Sequence, residues 1–204
     1  MGHVPYDTCQ PYLACSSDST EGFCPYVDTR CTPVNTCRTC QALAARWFAS
    51  CSEIDIFPNA TIAEYGTYKA KDHNDDIVRV IQAEIYARGP VTAEVNAKPI
   101  HDYQGGIYNN ESASTMTTHV VSIVGWGMDE DGQQHWIVRN SWGEYWGEMG
   151  FFRIAIGKNL LGIESSIAWA TPGNFTVVNF PCFENGKNCG PTTQHYVDPW
   201  HAAE

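Results

Sequence analysis

The alternation of apolar and polar residues changes character along the chain. Residues 1–60 keep no period: Cys, Pro, Thr and Ser break every apolar run, and only residues 41–49 (QALAARWFA) resemble a helical turn or two. Residues 62–71 (IAEYGTYKAK) alternate enough for a strand. The clearest helix is 74–88 (NDDIVRVIQAEIYAR), where Ile77, Val78, Ile81 and Ile85 form one apolar face. Asn74 or Asp75 is placed to cap it, and Gly89-Pro90 stops it. Val91–Val95 alternates as a strand, and Gly105-Gly106 marks a tight bend. Residues 119–126, 136–139 and 151–156 are further strands, the first two joined by the polar turn GMDEDGQQ. Beyond Pro172 the chain reads as polar and irregular, with Cys182 and Cys189 able to close a small loop. A helix followed by antiparallel strands predicts an α+β fold, a curled sheet or small barrel. The expected division is a Cys-rich segment (1–60), a sheet-bearing domain (61–170) and an irregular C-terminal extension (171–204).

Composition narrows the function classes. The formal charge of −11, from 23 Asp+Glu against 12 Lys+Arg, argues against nucleic acid and anionic membrane as partners. No window approaches the ~20 consecutive apolar residues of a membrane span. Seven His residues would offset the acidic charge in an acidic compartment, since imidazole titrates near pH ~6.5. Of nine Cys, seven lie between Cys9 and Cys51. They do not repeat as CxxC…CxxC, and no His falls among them, so disulfides are expected rather than zinc. No metal and no cofactor are expected. Sequons at Asn59, Asn110 and Asn174 fit the secretory route, although the N-terminus has no secretory signal. An export-type cysteine pattern without an export signal carries the expectation that something upstream is missing.

The candidate chemistry lies between Thr118 and Gly150. His119 opens one apolar run and Asn140 closes the next; Trp142 follows, in NSWGEYWGEMG. An Asn oxygen can accept the imidazole N–H and fix ring and tautomer without adding charge. That arrangement suits a Cys nucleophile, whose thiolate an adjacent imidazolium stabilises. A tryptophan over the His–Asn hydrogen bond would keep water from it. His3, His73, His101, His135, His195 and His201 lack such company and read as surface or structural.

YQGGIY, HVVSIVGWG and WIVRNSWGEYWGEMGFFRI resemble the C-terminal half of papain-like cysteine proteases. GHVPYDTC, the CTPVNTCRTC spacing, the sequon at Asn59 and AEIYARGPV extend the resemblance, toward the cathepsin X (cathepsin Z) subfamily, over about residues 2–165. The resemblance does not extend to the tail after Trp169. The resemblance implies a β-barrel-like right domain, with the helical left domain largely absent. It implies that His119 pairs with a catalytic Cys, that Asn140 orients His119 and that Trp142 shields their contact. It implies disulfides Cys9–Cys37 and Cys40–Cys51, and leaves Cys31 to reach a Cys in the absent left domain. Cys15–Cys24 and Cys182–Cys189 are then the remaining pairs.

The family nucleophile sits in a C-G-S-C-W context, and no such segment occurs here. Cys40, in CRTCQA, lacks the Gly and the following Trp, and it matches a structural cysteine of the subfamily better. The expectation is therefore part of a thiol protease, carboxypeptidase-like, with the nucleophile missing and the chain inactive alone. The implied partners are a peptide or protein substrate, the missing left domain and protein inhibitors. The implied location of the full-length protein is a lysosome-like compartment or the extracellular space. The competing readings are a peptide- or inhibitor-binding pseudo-protease and a disulfide-rich structural module.

Overall fold

The computed structural model describes residues 2–9, 15, 20, 24–28, 30–42, 48–73 and 76–197. In chain order its elements begin with β1 (Val4–Pro5), α1 (Pro33–Thr36), β2 (Arg38–Ala42), β3 (Phe48–Ile54) and β4 (Asn59–Lys69). After these come α2 (Ile77–Arg88), β5 (Val91–Val95), β6 (Ile107–Tyr108), β7 (His119–Met128) and β8 (Gln134–Arg139). The last three are β9 (Phe151–Ala155), β10 (Ser166–Phe175) and β11 (Cys189–Val197). The chain divides into two compact units, Met1–Ile62 with Pro172–Glu204, and Ala63–Thr171.

In the first unit β11, β3 and β2 form an antiparallel sheet in that order. Cys40 stands opposite Cys51 across β2 and β3, and a disulfide joins them at a Cα separation of 4.1 Å. Disulfides also join Cys9 to Cys37, Cys15 to Cys24 and Cys182 to Cys189, while Cys31 is free and exposed. Among the described residues, the buried apolar side chains of this unit are Cys37, Cys51, Ile54 and Pro58. Cross-links therefore do here what a core does elsewhere.

Two expectations need correction. Residues 41–49 are not helical at their ends: Gln41 pairs with Ser50 and Ala42 with Ala49, while 43–47 lie outside the described residues. The ladder leading out from the Cys40–Cys51 cross-link overrides a weak local preference for helix. The tail is not irregular throughout either, because Cys189–Val197 pairs along β3. Pro191 fits there because β11 is an edge strand.

The second unit holds the hydrophobic core. Its strands run in the order β4-β10-β5-β7-β8-β9-β6, in a sheet whose edge beyond β4 is β1, and the edge strands β1 and β6 do not pair. The sheet is open: the α+β expectation holds, and of its two forms, a curled sheet or a small barrel, the sheet does not close as a barrel would. In β5 the alternation is clean: Val91, Ala93 and Val95 are buried while Thr92 and Glu94 are exposed. α2 contributes Ile81, fully buried among Val91, Ile123, Trp136, Phe152 and Ile154, with Ile77, Val78 and Ile85 packed at the rim. The helix cap is Asp76, whose side chain accepts the Val78 N–H at 3.1 Å; Asn74 and Asp75 lie outside the described residues. At the other end the Gly89 N–H reaches the Ile85 carbonyl with Gly89 at φ 98°, where a side chain would be strained.

Candidate active site

β7 and β8 are antiparallel with Ser122 opposite Arg139, so the start of β7 and the residue after β8 emerge at the same end of the sheet. That places His119, first residue of β7, beside Asn140. His119 Nε2 lies 2.8 Å from Asn140 Oδ1. The same oxygen accepts the Ser141 N–H at 2.8 Å, and the Asn140 N–H donates to the Gly150 carbonyl at 2.9 Å. Asn140 is buried, and its amide is therefore fixed from both backbone and side chain. With its oxygen turned to His119, the Nε2–H is the donor, and Nδ1 is the ring nitrogen not used in this contact.

Trp142 covers this contact. Its ring stacks on His119 at a centroid distance of 5.0 Å and an interplanar angle of 24°. Trp146 meets Trp142 edge-on at 5.1 Å and packs in turn against Tyr103 and Phe152. Glycines let the 140–150 loop fold this tightly. Gly147 sits at φ 60°, and a Cβ there would lie 2.6 Å from the Phe151 carbonyl oxygen.

A second set of contacts pins the loop. Arg153 donates to both oxygens of Glu148, at 2.9 and 2.6 Å, and the Gly106 N–H donates to Glu148 Oε1 at 2.9 Å. The Tyr103 hydroxyl donates to the Gly106 carbonyl and accepts the Arg153 N–H. The Arg153 guanidinium holds the Glu148 carboxyl below the usual carboxylate range. Burial pushes the Tyr103 hydroxyl up.

Other residues fall as follows. His101, read from the sequence as surface or structural, lies with its ring 5.0 Å from Trp142, and its carbonyl accepts the Trp146 indole N–H at 3.1 Å. His135 is buried with Nδ1 3.3 Å from the Gln133 carbonyl, and His73 stacks on Tyr68. His3 meets Phe57 edge-on; His201 lies outside the described residues. Glu164, which sequence reasoning missed, is buried and accepts three N–H donors, from the Trp136 indole, Gly157 and Asn159. It anchors the turn that follows β9. The described residues hold no cluster of three or more His, Cys, Asp or Glu able to bind a metal ion. None of their helices is long and apolar enough to cross a membrane.

The site thus offers an oriented, shielded imidazole. Of the cysteines, Cys40 has its sulfur committed to Cys51, which removes it as a thiol, and only Cys31 is unbonded.

Comparison with known proteins gives a consistent set of relatives. The family model for papain family cysteine proteases matches residues 8–171. "Cathepsin Z" of Onchocerca volvulus is 34% identical over 178 residues, covering 83% of this chain and 50% of that protein. A "gut-specific cysteine proteinase" of Caenorhabditis elegans is 44% identical over 88 residues, 43% of this chain and 26% of that protein. Among solved structures, digestive procathepsin L2 proteinase from the larval midgut of Tenebrio molitor matches 55% of this chain and 35% of its own. The identity there is 35% and the TM-score 0.48. The chain spans about half the length of the cathepsin Z it matches, and about a quarter of the gut-specific proteinase.

Proposed function

The chain belongs to the papain family of cysteine proteases, and from that membership we propose that it contributes the base half of a Cys–His–Asn peptidase site. By family it is a cysteine peptidase, and peptides are its substrate class. In the proposed site His119 is the imidazole, Asn140 its orienting acceptor and Trp142 the shield; the nucleophilic thiol is supplied by residues other than these 204.

One observation carries the reading, the 2.8 Å contact of His119 Nε2 with Asn140 Oδ1 under the Trp142 ring. Nε2–H donates to the amide oxygen, so Nδ1 takes the thiol proton. The resulting imidazolium keeps its bond to Asn140 and stabilises the thiolate. Thiolate attack on the scissile carbonyl gives an acyl-enzyme, and the imidazolium returns its proton to the leaving amine. Because Asn140 is neutral, the imidazolium charge stays available to the thiolate. Indole packing excludes water that would compete for the hydrogen bond.

The reading extends to a carboxypeptidase-like preference, to a helical left domain and protein inhibitors as partners, and to an acidic lysosome-like or extracellular setting. The disulfides support the export half of this. A binding-only pseudo-protease is the competing reading, but binding alone gives no reason to fix an imidazole tautomer behind a stacked indole.

The experiment joins this chain to the left-domain segment of a cathepsin Z relative, bearing its C-G-S-C-W helix, and assays hydrolysis of peptides with free and blocked C-termini. Thiol-dependent cleavage is expected, with a loss of roughly 10²–10⁴-fold on His119→Ala. Preference for free C-termini supports the exopeptidase mode. A folded chimera whose cleavage is indifferent to His119→Ala would refute the assignment.

A further inference from the structure

Three sequons occur in the chain, and the structure sets one apart. Asn59 and Asn174 lie on segments that pair with each other. The Asn59 N–H donates to Thr176 Oγ1 at 3.3 Å, and the Asn174 N–H donates to Thr61 Oγ1 at 2.8 Å. Each sequon's hydroxyl is thus engaged by the backbone of the other. Asn59 Nδ2 also donates to the Phe57 carbonyl at 2.9 Å.

Asn110 is arranged differently. It is exposed in the turn after β6, and its Oδ1 accepts both the Ser112 N–H at 3.0 Å and the Ser112 hydroxyl at 2.7 Å. Its Nδ2 makes no hydrogen bond to a described residue. The acceptor amide and the hydroxyl that the sequon requires are therefore already in contact, with the nitrogen directed away from both bonds. Hydrogen bonds to the amide oxygen favour the polarised form in which that oxygen carries more negative charge, which helps the nitrogen give up a proton. Lys158 holds the turn from outside, its Nζ 3.0 Å from Asn109 Oδ1 and 2.5 Å from Glu111 Oε1. Asn109, Glu111 and Ser112 are all exposed, so a bulky group on Asn110 meets no packed surface within its own turn. The Asn110–Ser112 bonds themselves involve only neighbouring residues, so a nascent chain can form them before the Lys158 contacts or any sheet exist.

We propose that Asn110 is an N-glycosylation site, taking an oligosaccharide from a lipid-diphosphate donor in the secretory lumen. Asn110 Nδ2 bonds to the anomeric carbon as that carbon's bond to the diphosphate oxygen breaks. The nitrogen loses one proton, and the lipid diphosphate leaves with the electron pair; nothing is oxidised or reduced. The proposal rests on the export reading that the four disulfides support. It does not depend on peptidase activity.

The test expresses the 204-residue chain behind a cleavable secretory leader in cultured eukaryotic cells. Lumenal chain is recovered by protease protection of microsomes, its glycans are released by an amidase in heavy-oxygen water, and its peptides are mapped by mass spectrometry. The expected result is conversion of Asn110 to oxygen-labelled Asp in most molecules, lost in Ser112→Ala and kept in Ser112→Thr. Lumenal chain in which Asn110 stays unlabelled overturns the proposal, as does labelling that survives Ser112→Ala. Neither outcome bears on the peptidase reading, since no cleavage is measured.

Discussion

At the scale of single residues, the site was legible where a polar side chain interrupts an apolar run. His119 and Asn140 stand out because a strand has little use for either, and their 2.8 Å contact follows from strand pairing. Glu148, Arg153, Glu164 and His101 were not legible. Each is an ordinary polar residue whose role comes from contacts across the fold, such as Glu164 with the Trp136 indole 28 positions away. Glu148 makes a pH prediction with a definite sign. Its folded-state pKa is lowered, chiefly by hydrogen bonding to Arg153. The stabilisation is then present above the unfolded carboxylate value of about 4.3 and is lost as pH falls through the lower folded value. Denaturant midpoints measured from pH 6 downward should fall more steeply for the parent than for Glu148→Gln. Parallel curves would show that the pair contributes nothing through ionisation.

At the scale of elements, periodicity located α2 and the strands β4, β5, β7, β8 and β9, because a single face of each is buried against one core, but it singled out neither β6 nor β10. It failed where cross-links replace burial. In 38–54 the pairing of Cys40 with Cys51 sets the ladder, and Gln41, Ala42, Phe48 and Ala49, at the ends of the run with a helical signal, follow that ladder instead. β11 was missed because CGPTTQHYV is polar with a Pro, which an edge strand tolerates. The start of α2 offers a clean check. Asp76, rather than a residue before it, satisfies the Val78 N–H, so Asp76→Ala should cost about 0.5–2 kcal/mol in equilibrium unfolding. A change below the error of the measurement would place the cap elsewhere.

At the scale of the molecule, the two units are stabilised by different means. Ala63–Thr171 has a continuous apolar core around Ile81, Trp136 and Phe152, whereas the other unit relies on four disulfides. The imidazole belongs to the first of these, and the only free thiol, Cys31, belongs to the second. The cation next to Cys31 in sequence is Arg30, and that guanidinium is paired with Asp28. The central claim is that this chain holds the base of a thiol protease site without its nucleophile. The most direct measurement treats the oxidised 204-residue chain with a biotinylated peptidyl epoxide and maps any adduct by mass spectrometry, in parallel with His119→Ala. The account predicts no adduct above that formed by a simple exposed thiol, and no difference between parent and variant. Stoichiometric labelling of Cys31, or of any other cysteine, that disappears with His119→Ala would contradict it.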